Sequence, residues 1–166
     1  MFEDLRIRLV MPRIQGRLLD VGCGQNRLVQ QYGHGLGVQR LSELPKDSSA
    51  FDTVTLLAVL NYISPQERQE VLRGCFQRLT RYGRLLITCI TPLGSWGLWW
   101  IKPGQPKGLS PSQIKTLVEP CGFKLLYQKS FLMGLNSLSV FSKDTPRETL
   151  AVSAYRKEVE EVKHTL

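Results

Sequence analysis

The apolar positions along this chain alternate between two rhythms, one suited to helices and one to strands. Residues 2–11 put Phe2, Leu5 and Leu9 on one side of a short amphipathic helix. "RLLDV" (17–21) is a compact apolar run that predicts a strand, and "QNRLVQQY" (25–32) predicts a short helix closed by Gly33. "GLGV" (35–38) predicts a second short strand. "FDTVTLLAV" (51–59) is apolar on both sides, as in a central parallel strand covered on both faces. "RLLITCI" (84–90) predicts another strand after a turn at Tyr82-Gly83. "GFKLLYQKSF" (122–131) and "NSLSVFSK" (136–143) flank Met133-Gly134-Leu135, a spacing that predicts an antiparallel hairpin.

Three helix starts share one signature: Ser64-Pro65-Gln66-Glu67, Ser110-Pro111-Ser112-Gln113 and Thr145-Pro146-Arg147-Glu148. The hydroxyl accepts a free N–H and the proline has none to lose. The third residue bonds back to the cap. Helices are therefore expected at about 65–80, 111–119 and 146–164. The last carries Ala151, Tyr155, Val159, Val162 and Leu166 on one stripe, which either packs on the domain or binds a partner. The order predicts an α/β domain over residues 1–143, followed by a C-terminal helix over 144–166. Its sheet is mostly parallel and covered by helices on both faces, with one antiparallel strand inserted by the closing hairpin.

Composition narrows the class. With 166 residues, 42% hydrophobic and 22% charged, the chain can bury one core. No apolar run reaches the length of a membrane span, and the N-terminal stretch mixes acids and bases into its apolar pattern. The expectation is a cytoplasmic protein. Cys23, Cys75, Cys89 and Cys121 form no C-x-x-C pair, which argues for reduced thiols and no metal site. The net charge of +8 allows an acidic partner, nucleic acid included, although the basic residues are spread along the chain and no nucleic-acid recognition motif accompanies them.

The candidate chemistry lies in "LLDVGCGQNRL" (18–28). Glycines after a first strand let a backbone approach a ligand closely, and the following helix offers free N–H groups. A dinucleotide turn wants G-x-G-x-x-G, but the position three past Gly24 is Arg27. An acid stands instead two residues before the first glycine, as Asp20-Val21-Gly22-Cys23-Gly24. This D-x-G-x-G turn resembles the first motif of the class I, Rossmann-like S-adenosylmethionine-dependent methyltransferases. Asn26 stands at the family's third glycine. "FDTVTLLAVLNYIS" resembles that family's fourth strand and the segment after it. "VLRGCFQRLTRYGRLLITCITP" resembles its helix, turn and fifth strand. "GLSPSQIKTLVEPCGFKLLYQKSF" and "GLNSLSVFSK" resemble its late helix and last two strands. The resemblance spans roughly residues 14 to 143 and is to a small, bacterial-type member.

That resemblance implies S-adenosyl-L-methionine as cofactor, S-adenosyl-L-homocysteine as product, and a methyl acceptor the sequence does not name. Gly22, Cys23 and Gly24 would face the methionine part with their backbone. Asp20 would orient its amino group, unless it is only a cap or turn residue. Leu57 and Ala58 would lie beside the sulfonium. Asn61 and Tyr62 stand where relatives contact cofactor or substrate, the alternative being capping and packing. The family's ribose-binding acid is replaced by Gln39, which lacks the charge that strengthens a bond from a hydroxyl. Only twelve residues, Gln39 to Ala50, fill an interval where the family fits a helix, a strand and an adenine-contacting acid. Arg40 and Leu41 stand near that acid's place, and Glu43 is the nearest carboxylate. One edge strand and its helix are thus expected to be missing. A second copy or a partner protein is a candidate to cover the shortened edge. The loop expected at 91–109 carries Trp96, Trp99 and Trp100 as a candidate surface for a small planar acceptor. No catalytic base is evident, since His34 and His164 both read as surface residues. Two functions remain open: a methyltransferase, or a non-catalytic relative used as a binding module.

Overall fold

The computed structural model describes residues 2–45, 51–99 and 107–144. Six strands form one sheet: β1 (Leu18–Val21), β2 (Gly35–Val38), β3 (Phe51–Leu57), β4 (Leu79–Ile90), β5 (Lys124–Phe131) and β6 (Asn136–Ser142). Their spatial order is β2-β1-β3-β4-β6-β5. The first four are parallel to one another. β6 runs antiparallel between β4 and β5, as the closing hairpin predicts. β2 is the sheet edge, and between it and β3 the described residues contain only one 3-10 turn, Leu41–Glu43.

Among the described residues five helices accompany the sheet: α1 (Phe2–Val10), α2 (Arg27–Tyr32), α3 (Pro65–Arg78), α4 (Pro92–Trp99) and α5 (Pro111–Val118). Two separate clusters make up the core. One joins Ile7 and Val10 of α1, Leu28 of α2 and the sheet residues Leu18, Leu86 and Val140. The other joins Leu72 of α3, Ile114 of α5 and the sheet residues Leu19, Leu85, Ile87 and Phe141. Neighbouring residues on one strand belong to opposite clusters, which is the period-two alternation of a sheet sandwiched between helix layers.

Local signals set the boundaries. The Ser64 hydroxyl accepts from the Glu67 N–H while the Glu67 carboxylate accepts from the Ser64 N–H, and Ser110 and Gln113 do the same. α2 stops at Gly33, whose left-handed backbone (φ 80°) lets its N–H reach Val29 O. Two expectations are corrected. α3 ends at Arg78, and Tyr82-Gly83 is no turn: β4 runs through it. Phe51 pairs with Leu79 and Thr53 with Arg84, so five steps on β4 oppose two on β3, and the surplus is absorbed as a bulge. The stretch expected as a loop from residue 91 instead begins with α4. The helix expected at 146–164, with His164, lies outside the described residues. No helix among those described is long and apolar enough to cross a membrane.

Candidate functional site

The carboxyl ends of the parallel strands open onto a cleft of about 630 Å³, a volume in the range of small-ligand sites. Its floor is the end of β1. Asp20 is 3% exposed, and the Thr55 hydroxyl donates to its Oδ1 at 2.6 Å. Burial pushes the Asp20 carboxyl up to about 6, against the opposing pull of the Thr55 hydrogen bond, with a further push from the nearby charge of Glu3. It is therefore a strand residue facing a cleft rather than a helix cap.

The wall is the glycine turn. Gly22 is left-handed (φ 72°), and its N–H and that of Cys23 both bond Val38 O, at 2.7 and 3.2 Å. A Cβ at Gly22 would stand 2.5 Å from Val59 Cγ2. A Cβ added at Gly24 (φ 53°) would meet nothing within 4 Å, so that side of the turn is open to a ligand. Burial, and then the charge of Asp20, push the Cys23 thiol up, which keeps it protonated and a poor nucleophile. The adjoining wall holds Leu57, Ala58 and Val59. Ala58 is also left-handed (φ 63°), with its N–H bonded to Thr88 O. A strained non-glycine residue at the mouth of a cleft is characteristic of ligand sites.

Most of the sequence-predicted set comes together here: Asp20, Gly22, Cys23, Gly24, Leu57, Ala58 and the exposed Tyr62 line the cleft. Asn61 does not. Its amide donates to Ile90 O and Lys107 O and accepts from the Ile90 N–H, so it is buried as a clamp between the end of β4 and the approach to α5. Gln39 lies outside the wall, with its Nε2 donating to Gly24 O at 2.8 Å. Glu43 is also engaged, its two oxygens accepting from the Gln39 and Arg40 N–H groups. Trp96 stands exposed on α4 and is not part of the wall. Trp99 ends α4, Trp100 lies outside the described residues, and His34 is exposed.

Three residues of α1, Glu3, Arg6 and Ile7, complete the cleft. Sequence reasoning assigned that helix no role. Arg6 donates to Asn136 Oδ1 at 3.0 Å, its buried Nε has no partner among the described residues, and burial lowers its pKa. The one available signal was charge: Arg27, odd for a dinucleotide turn, pairs with Glu3 at 3.2 Å and with Asp4. Arg27 thus holds α1 over the glycine turn. Arg27→Ala is expected to speed amide exchange across Phe2–Val10 while scarcely moving the melting temperature, because exposed ion pairs steady a local element more than a fold.

No protein-family model and no curated protein matches the chain. Solved structures do. A SAM-dependent methyltransferase from Archaeoglobus fulgidus superposes with a TM-score of 0.69 at 17% identity, covering 86% of this chain and 93% of that one. The [4+2]-cyclase SpnF gives 0.67 at 16%, covering 86% and 81%. The N-methyltransferase NodS from Bradyrhizobium japonicum, solved with S-adenosyl-L-homocysteine, gives 0.62 at 13%, covering 87% and 88%. These likenesses establish a Rossmann-like methyltransferase fold. One of the three is a cyclase, so the fold by itself does not fix an activity.

Proposed function

We propose that this chain binds S-adenosyl-L-methionine in the cleft and transfers its methyl group to a small acceptor. The observation that carries the reading is Asp20, a carboxylate buried on the floor of an open cleft beside a backbone that two left-handed glycines leave accessible. Its hydrogen bond from Thr55 occupies one oxygen. An α-ammonium group would supply the missing cation, and Arg6, whose side chain lines the same cleft, is the charge suited to the α-carboxylate. The donor set therefore matches the amino-acid end of the cofactor. The adenosine end has no comparable free acid, because Glu43 is spent on the Gln39 and Arg40 N–H groups and the Gln39 amide is taken up by Gly24 O.

When bound, the cofactor supplies an electrophilic methyl group on sulfur. The chain's part is alignment. Asp20 and Arg6 would fix the amino-acid end, the turn 22–24 would fix the depth, and Leu57 and Ala58 would keep water from the reacting centre. Tyr62, exposed at the mouth, is the proposed acceptor contact.

The test is calorimetric titration with S-adenosyl-L-methionine and S-adenosyl-L-homocysteine across pH. The ligand's ammonium selects ionised Asp20, so affinity should rise with pH through about 6 and be about tenfold weaker at pH 5 than at pH 7. A flat profile would remove Asp20 from the site. The engagement of Gln39 and Glu43 favours a second reading, a non-catalytic relative, and an absence of binding at millimolar ligand would select it.

A further inference from the structure

We propose that Asn136 is a positioning residue: it aims the Arg6 guanidinium at a ligand carboxylate in the cleft, and because it is an amide it leaves the arginine's charge to that ligand. The proposal rests on the cofactor reading above and adds to it the group that sets the preference for a carboxylate.

Arg6 comes from α1, and Asn136 receives it. The Arg6 Nη2 donates to Asn136 Oδ1 at 3.0 Å. Asn136 is 5% exposed and opens β6, where it stands between Ile90 of β4 and Phe131 of β5. The Asn61 amide holds Ile90 in turn, through both its N–H and its carbonyl. The acceptor is therefore built into the interior of the sheet and does not follow a moving arginine. The Arg6 Nε is buried as well. Of the five N–H groups of a guanidinium, these two are turned inward, and the others are what Arg6 can offer to the cleft that it lines.

Charge explains the amide. Among the described residues no carboxylate forms an ion pair with Arg6. Glu3, whose charge favours the ionised guanidinium, is itself engaged by Arg27 at 3.2 Å. Taking a cation out of water costs free energy that a neutral carbonyl offsets only in part, so Arg6 keeps an unmet attraction for an anion. An aspartate at 136 would meet it internally, and a ligand carboxylate would have to compete. Nor is the contact needed to hold α1 in place. Ile7 and Val10 are 2% and 0% exposed in the core, and Arg27 ties down Glu3 and Asp4. What the Asn136 bond adds is the direction of the Arg6 side chain.

The test is calorimetric titration of the full chain with S-adenosyl-L-homocysteine and with its decarboxylated analogue, which keeps the ammonium group for Asp20. The unaltered protein should prefer S-adenosyl-L-homocysteine by about tenfold or more. Asn136→Asp should abolish that preference, weakening S-adenosyl-L-homocysteine about tenfold and the analogue less than about twofold, without lowering the melting temperature, since the new carboxylate pairs with Arg6. Asn136→Ala should also weaken S-adenosyl-L-homocysteine alone, and it carries the test if the aspartate variant does not fold. In an Arg6→Met background, which lacks the preference, Asn136→Ala should cost no further affinity. Equal affinity of the unaltered protein for the two ligands overturns the proposal. So does an Asn136 variant that weakens both by the same factor, which is the mark of a merely structural role, or one that leaves the preference intact. If the unaltered protein binds neither ligand, it is the cofactor reading that fails, and this proposal falls with it.

Discussion

Asp20→Asn is expected to stabilise the ligand-free protein at neutral pH while weakening S-adenosyl-L-methionine binding by at least about 100-fold. Both halves follow from one cause. The carboxyl titrates at about 6 in the fold against 3.8 for the free side chain. The folded state therefore holds this proton more tightly than the unfolded chain, and ionising the group costs stability. That cost is absent below about pH 4, grows as pH rises through 4 to 6, and is complete above it. At pH 7 it is about 3 kcal/mol at most. An amide of the same shape carries no charge to desolvate and still accepts from Thr55, so the gain should be about 1–3 kcal/mol, or about 3–8 °C in melting temperature. The difference should vanish near pH 4. An equal difference at both pH values would mean that burial of this charge is not the cause. A stabilising variant that loses the ligand would mark Asp20 as a group kept at the expense of stability, as binding sites commonly require.

Gly22→Ala should cost about 2–4 kcal/mol. Two contributions add. A left-handed backbone is unfavourable for alanine by about 1–2 kcal/mol. The new methyl would also stand 2.5 Å from Val59 Cγ2, an overlap whose relief costs about 1–2 kcal/mol in shifted side chains or backbone. Val59→Ala removes the second contribution alone. In the double variant the steric part should be recovered and the backbone part should remain, so the two changes should couple by about 1–2 kcal/mol in a cycle of chemical-denaturation measurements. Strict additivity would mean that the turn moves as a whole and that Val59 does not define its shape.

The elements and their order were legible in the chain because their causes are local. A serine-proline cap with Glu or Gln at its third position is decided within four residues. The alternation through "RLLITCI" and "NSLSVFSK" is decided strand by strand. The D-x-G-x-G turn marked the cleft's floor and one wall. What stayed hidden depends on partners distant in sequence. Arg6 reaches Asn136 across 130 positions, and no local pattern says that a polar face of the first helix closes over a turn. Asn61 stood where a ligand contact was expected, yet its amide finds two carbonyls and an N–H that only the packed end of β4 and the approach to α5 bring within reach. Gln39 was read at the place of the ribose acid and Glu43 as the carboxylate nearest the adenine contact, but the Gln39 amide is taken up by Gly24 O and the Glu43 carboxylate by the Gln39 and Arg40 N–H groups.

At Tyr82-Gly83 too, a tyrosine–glycine step that ordinarily makes a turn is absorbed into a bulge once both strand ends are held in register. The sequence by itself determined most of the helices and strands, α4 and the first residues of β4 excepted, and where the acid and glycines stand, through short-range hydrogen bonding and side-chain period. Only the tertiary structure decided which of those groups share one cavity and which are consumed by their neighbours. It also decided how far burial raises the Asp20 carboxyl, because desolvation depends on everything that surrounds a charge.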